Sequence, residues 1–334
     1  MEKQDIRKKA IQSWLINDLK MTIDSLTPAS SDASFRRYFR ISCNNQTYVV
    51  MDAPPEKENI KTFIEVAGLF ASTGINIPNI YHLNLEQGFL LLEDFGKKCY
   101  LDLLNQENAG IFYGQALNSL FKLQSKIDFN NCQLPVYDFD LLNKELDIFT
   151  EWFLEKKLNI TVTFEQHTII EKTKQLLIKS ALEQPTTCVH RDYHSRNLMV
   201  TSANNPGIID FQDAVIGPIT YDLASLLKDC YIEWPEQMTE QWLKQYYQHL
   251  KDTNNIDYSF HTFKFWFDLM GIQRHLKAIG IFARLHLRDN KSNYLQDIPR
   301  TINYVLNTSA KYPELSAFND FFQNTVMPAW RLTL

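Results

Sequence analysis

Residues 186–200 read TTCVHRDYHSRNLMV, and residues 207–227 read GIIDFQDAVIGPITYDLASLL. Apolar pieces bracket a polar run containing His190, Arg191, Asp192, His194, Arg196 and Asn197. CVH, NLMV and GIID read as short strands, and Asn204-Asn205-Pro206-Gly207 reads as a turn. Asp192 then sits on a loop, Asn197 near its end, and Asp210 at the end of the next strand. A hairpin of this kind brings the three to one cleft wall. Phosphoryl transfer needs a group that orients and deprotonates an acceptor hydroxyl, and hard oxygen ligands for magnesium on the polyphosphate. Asp192 suits the first task; the Asn197 amide oxygen and the Asp210 carboxylate suit the second. An ordinary low carboxyl pKa does not disqualify Asp192, since its proton affinity matters only as the transition state develops. The structural alternatives are a carboxylate that steadies an Arg-rich loop, an Asx turn at Asn197 and a strand-end turn at Asp210.

Toward the amino terminus the pattern is β-rich. FRRYFRIS, QTYVVM, NIYHL and GFLLLE read as strands around one helix at residues 59–71. Asn44-Asn45 marks a tight hairpin, because Asn tolerates positive backbone angles, and Glu86-Gln87-Gly88 marks another turn. Before these strands, Ile11, Leu15 and Leu19 recur at helical spacing. From Leu101 onward helices dominate, at 111–126, 141–157, 164–182, 239–250 and 260–284. Phe263, Trp266, Phe267 and Met270 recur every three or four residues, the mark of a buried helix face. The fold class is α+β, with a small antiparallel-sheet lobe over residues 1–95, including the leading helix, and a mainly helical lobe over 96–334. The two meet near Asp94-Phe95-Gly96.

Composition narrows the function. Among 334 residues, 34 Lys plus Arg face 39 Asp plus Glu, a formal net charge of -5, without any long basic run. This disfavours a phosphate-tracking nucleic-acid binder. The five cysteines are scattered and never form CxxC, which removes support for structural zinc or a disulfide framework. No apolar run reaches the roughly 18 residues of a membrane span. The expected setting is a reduced cytoplasm, with no membrane contact and no obligatory protein partner. GxxxxGK[ST] is missing, so the phosphate site is not of the Walker type.

VHRDYHSRNLMV with IIDFQDA resembles the catalytic core of aminoglycoside and choline kinases and, more distantly, of protein kinases. The resemblance implies a two-lobed protein-kinase-like fold that uses ATP and Mg2+, with Asp192 as catalytic base and Asn197 and Asp210 as metal ligands. Asp210-Phe211-Gln212 departs from the protein-kinase Asp-Phe-Gly, against a protein substrate. SDASFRRYFR, MDAPPEKE, GFLLLEDFG, ELDIFTEWF and GIQRHLKAIGIFARLHLRD extend the likeness to bacterial kinases of the anomeric hydroxyl of N-acetylmuramate and N-acetylglucosamine, which act in cell-wall sugar recycling. An aminoglycoside or other small-alcohol kinase, and a non-catalytic nucleotide-binding module, are the alternatives.

The same likeness distributes further roles. Ser31, Ala33, Ser34 and Arg37 fall on the segment that would cover the ATP phosphates, where neighbouring strand residues face opposite ways, so Arg36 and Arg37 cannot share one task. Glu93 stands at a hinge whose backbone would receive adenine. Arg196, Gln212 and Asp213 are expected at the acceptor or in loop support, and His194 divides between the same roles. Arg274 is expected to pair with the muramate carboxylate or to brace the lobe interface. His190 and Asp222 are expected to hold the catalytic loop, Asp222 also suiting a helix cap. The strand lysine of protein kinases is missing from YVVMDAPPEKE; Lys57 and Lys61 lie nearby, and Glu65 is the helix acid that could organise this lobe.

Overall fold

The computed structural model describes residues 5–30, 35–127, 132–254 and 256–333. An antiparallel sheet of five strands forms the amino-terminal lobe in the order β1-β2-β3-β5-β4, with β1 at Ser25–Ser30, β2 at Arg37–Cys43, β3 at Gln46–Asp52, β4 at Ile80–Asn84 and β5 at Phe89–Glu93. β2 and β3 turn over Asn44 and Asn45, whose φ angles are 52° and 63°. Two successive left-handed residues make the hairpin turn whose twist matches the strands. At the β4–β5 turn Gly88 has φ 72°, and a Cβ there would meet the Ala53 carbonyl oxygen at 1.9 Å. Only glycine fits.

β5 reads Phe89-Leu90-Leu91-Leu92 because both faces of the sheet are covered. Phe89 and Leu91 join Phe39, Ile41 and Val50 under the leading helix α1 (Ile6–Ser13), which delivers Ile11 and whose next turn delivers Trp14 and Leu15. Leu90, Leu92 and Met51 face the other way, into a core shared with Phe63, Val66, Ala67 and Phe70 of α2 (Ile60–Ser72). Burying an aliphatic or aromatic side chain is worth about 1.5–3 kcal/mol, so α1 is an integral second layer of the lobe. β1 escaped the sequence reading: SLTPAS has no apolar alternation, and its Pro28 is tolerated because β1 is an edge strand.

The remaining chain is mainly helical. After the short α3 (Tyr100–Leu103), α5 (Phe139–Ile148), α6 (Phe164–Leu182), α7 (Tyr221–Leu227), α8 (Glu236–Asn254) and α10 (Ile298–Ser309) pack against α9 (Phe260–Asp289), and α4 (Ala109–Lys126) packs against α8. α9 buries Phe263, Trp266, Phe267 and Met270, the stripe read from the sequence. Ser259 caps its start through the Thr262 amide, and Asn290 ends it at φ 54°. α9 crosses the end of α5 closely: a Cβ on Gly280 would sit 2.6 Å from the Ile148 carbonyl. Two small ladders interrupt the helices, β6 (Thr186–Val189) with β9 (Val215–Pro218) and β7 (Leu198–Met199) with β8 (Gly207–Ile208). They carry the polar loop. Among the described residues no helix is long and apolar enough to cross a membrane.

Candidate active site

A cleft of about 730 Å³ lies between the sheet lobe and the two small ladders. Tyr38, Arg40, Val49, Leu92 and Glu93 line its upper wall; Asp192, His194, Arg196, Asn197 and Asp210 line its lower wall. The β7–β8 hairpin does what its sequence required: it folds Asp210 back beside the loop that carries Asp192 and Asn197.

Two buried carboxylates fix that loop through its backbone. Asp222, in the first turn of α7, accepts the amides of His190 at 2.7 Å and Arg191 at 3.0 Å. Burial pushes its carboxyl up, to about 7, against the pull of these two N–H groups and of Arg274. Asp229, just past α7, accepts the amides of Ser195 at 2.9 Å and Tyr231 at 2.8 Å. The loop residue Arg191 has φ 76° and Asp210 has φ 64°. Left-handed backbone at non-glycine residues costs of order 1–3 kcal/mol and persists only where the surroundings over-determine it. At Arg191 the surroundings are Asp222, which accepts its amide; at Asp210 they are Gln212 and Asn197, which hold its carboxylate.

His190 joins the two strained segments. The Asp192 amide donates to its Nδ1 at 3.3 Å, which leaves Nε2–H to donate to the Ile209 carbonyl at 3.1 Å. That pattern requires neutral imidazole, and burial holds the ring's pKa down, to about 4. One ring therefore spaces Asp192 from the residue before Asp210. Asn197 supplies a second tie: its Nδ2 donates to the Asp192 carbonyl at 3.0 Å and lies 3.4 Å from Asp210 Oδ2. Only nitrogen can donate to a carbonyl, so the Asn197 oxygen is free of that duty. Gln212 donates to Asp210 Oδ1 at 2.9 Å and to Asp213 at 3.2 Å, and Asp213 reaches Arg36 at 3.7 Å. Among the described residues there is no group of three His, Cys, Asp or Glu that could hold a metal by itself. An oxygen pair supplied by Asn197 and Asp210 fits magnesium, which takes one or two protein ligands and completes its shell from phosphates and water.

Beneath the loop lies a buried ionic cluster that sequence reasoning missed. Glu145 of α5 pairs with Arg191 and, at 2.8 Å, with Lys277 of α9, and it accepts from the Tyr137 hydroxyl and from Gln273. Burial alone would raise the Glu145 carboxyl; Lys277 and Arg191 hold it down, at about 2. Asp192 is subject to the same field. Its burial is outweighed by Lys277, Arg274 and Arg191, so its carboxyl lies below the ordinary value. Glu145 sits in an ordinary amphipathic helix, and Lys277 lies one turn past Arg274 in QRHLK, a spacing that could have flagged the pair. Arg274 itself lies over the Tyr221 ring at 5.0 Å and donates to the Arg191 carbonyl at 3.4 Å, behind the loop and apart from the cleft lining.

The upper wall differs from expectation in one respect. Alternation turns Arg37 to the face covered by α1, where Asp52 and Asp5 hold its guanidinium. The cleft side of β2 carries Tyr38 and Arg40 instead, and Arg40 bonds Asp94 at 2.6 and 2.8 Å and the Gly96 carbonyl at 2.6 Å. Ser31, Ala33 and Ser34 lie outside the described residues. Glu93 lines the cleft and accepts the Asn79 side-chain amide at 2.6 Å. Lys57 lies over Phe35 at 4.4 Å, and Glu65 is on the exposed face of α2.

Residues 25–258 match the phosphotransferase enzyme family. Over 331 residues the chain is 43% identical to the N-acetylmuramate/N-acetylglucosamine kinase of Pseudomonas putida, covering 96% of this chain and 97% of that one. It is 38% identical to the kinase of the same name from Neisseria meningitidis serogroup B, covering 93% of each. Among solved structures, choline kinase LicA from Streptococcus pneumoniae superposes with a TM-score of 0.64 at 13% identity, covering 91% of this chain and 99% of that one. Aminoglycoside phosphotransferase APH(2")-IIa, in its gentamicin complex, superposes with a TM-score of 0.60 at 16% identity, covering 90% and 97%. These two speak for the fold alone.

Proposed function

The chain belongs to the phosphotransferase enzyme family, alongside its N-acetylmuramate/N-acetylglucosamine kinases, and on that premise we propose that it phosphorylates the anomeric hydroxyl of these amino sugars at the expense of ATP. The observation that carries the chemistry is the tie of Asn197 to both the Asp192 carbonyl and Asp210. It sets a proton acceptor beside two oxygen ligands on one cleft wall. Asp192, held ionised by the cations behind it, orients the sugar hydroxyl and takes its proton as the oxygen attacks. The His190 tie and the Asp222 and Asp229 braces keep that carboxylate from drifting. Asn197 and Asp210 would hold magnesium, which neutralises phosphate charge when bound. Leu92, Val49 and the backbone near Glu93 form the apolar end of the cleft, suited to a nucleobase. Gln212 and Asp213 bond one another beside Asp210 and do not line the cleft, which favours loop support over contact with the acceptor.

The test supplies magnesium–ATP with each free sugar and locates the phosphate by product NMR. The expected product is the sugar 1-phosphate, and none forms from an analogue whose anomeric hydroxyl is blocked. Transfer to the blocked analogue, or phosphate at another hydroxyl, overturns the anomeric assignment.

A further inference from the structure

We infer that Arg196 reads the carboxylate that distinguishes N-acetylmuramate from N-acetylglucosamine, and so sets the balance between the two sugars. The inference rests on the amino-sugar reading above. The two sugars differ by a lactyl ether on the ring carbon next but one to the anomeric centre. If Asp192 faces the anomeric hydroxyl, a side chain on the same wall and a few residues away is the one placed to meet that carboxylate.

Arg196 fits by position, by charge and by how it is held. It lines the cleft, and about a third of its side chain is exposed. Its guanidinium lies over the Tyr231 ring at 3.7 Å and near Tyr294 at 5.7 Å, and both rings also line the cleft. Aromatic faces hold a guanidinium in place without using its N–H donors. Arg196 forms one long ion pair, with the buried Asp297 Oδ2 at 3.8 Å, which accepts no hydrogen bond. Asp297 is shared with Arg300, whose guanidinium reaches its other oxygen at 3.2 Å. Arg196 is thus oriented by two rings and shares its one acid with Arg300, and it presents to the cleft a planar donor fork suited to a carboxylate.

The competing arginine is differently used. Arg274 is stacked on Tyr221, donates to the backbone of the catalytic loop and does not line the cleft. Reaching a sugar would mean leaving those contacts.

The experiment measures kcat and KM of the wild type, Arg196→Gln, Arg196→Lys and Arg274→Gln. The substrates are N-acetylmuramate, N-acetylglucosamine and the amide of the muramate carboxylate; thermal melts check folding. Arg196→Gln is expected to lower the N-acetylmuramate to N-acetylglucosamine ratio of kcat/KM about tenfold, mainly through KM, as a lost charge-assisted hydrogen bond implies. The amide should cost the wild type a similar factor and Arg196→Gln almost nothing further. Arg196→Lys, which keeps the charge without the fork, should restore part of the ratio. An unchanged ratio in Arg196→Gln, an equal carboxylate effect in both proteins, or a ratio that moves only in Arg274→Gln overturns the inference. A wild type that phosphorylates neither sugar overturns the amino-sugar reading itself, whereas one that uses both with no Arg196 effect overturns the inference alone.

Discussion

The two walls of the cleft are held by different means. The lower wall is fixed through its backbone: Asp222 and Asp229 accept main-chain amides at both ends of the loop, and His190 ties the middle to the next strand. The upper wall is fixed through side chains, with Arg40 on Asp94 and Arg36 between Glu58 and Asp213. A carboxylate that accepts buried amides has no cheap alternative partner, so the geometry it sets is stiff. A guanidinium partly open to water can exchange one anion for another. On the proposed function, stiffness sits where a proton must be met at a defined place, and exchangeable charge sits where a polyanion must enter and leave.

The largest effect should come from the lower wall. Asp192→Asn keeps size and folding but removes the proposed proton acceptor. Single-turnover transfer with both substrates saturating is expected to fall by about 10²–10⁴-fold, with nucleotide affinity nearly unchanged. A transfer rate close to that of the wild type would break the proposed division of labour at its centre.

Glu145→Gln probes the floor beneath. Removing one charge from a buried cluster of this kind costs about 3–5 kcal/mol, and it leaves the Arg191 guanidinium without its acid. Acid sensitivity should change with it. Glu145 has a folded-state pKa of about 2 against an ordinary 4.5, so the folded protein binds fewer protons than the unfolded one in between. Its stabilisation is complete above pH 4.5 and is lost as pH falls toward 2. Denaturant titrations across that window should show a shallower acid loss in the variant. Parallel curves would mean that the cluster is not held by Glu145.

The smallest effect belongs to the upper wall. Arg40→Met keeps the aliphatic bulk but releases Asp94 and the Gly96 carbonyl. We expect a rise in the KM for ATP of less than about tenfold, with little change in saturated rate, since Arg40 lines the upper wall away from the polar loop; because Asp94 is nearly fully buried, leaving it unpaired should also cost stability, by about 3–5 kcal/mol. A collapse in saturated rate would show that this wall is as stiff as the other.

The polar island shows why part of the site was legible in the sequence. Asp192, Asn197 and Asp210 are set by short-range spacing, and a strand–loop–hairpin admits few ways to arrange them. Asp222 was readable for the same reason, through YDLASLL. The upper wall was harder because strand alternation can be read only once the phase is known. The sequence narrowed the choice to Arg36 or Arg37, while the cleft received Tyr38 and Arg40. β1 was missed because an edge strand with one wet side need not show an apolar rhythm.

Local residue order accounts for the α+β class, the Asn44-Asn45 hairpin, the leading amphipathic helix, the aromatic stripe of α9 and the polar loop after β6, since each depends on residues within a turn or two of one another. Tertiary structure alone decided the partners. Glu145 meets Arg191 across 46 positions of chain and Lys277 across still more, Arg40 meets Asp94, and Arg196 comes to rest between Tyr231 and Tyr294. No local pattern encodes such pairings, because a charged residue on an amphipathic helix looks the same whether it faces water or a buried partner. Packing chooses between them: an ion taken out of water must find its counter-charge, and which residue supplies it depends on where distant helices cross.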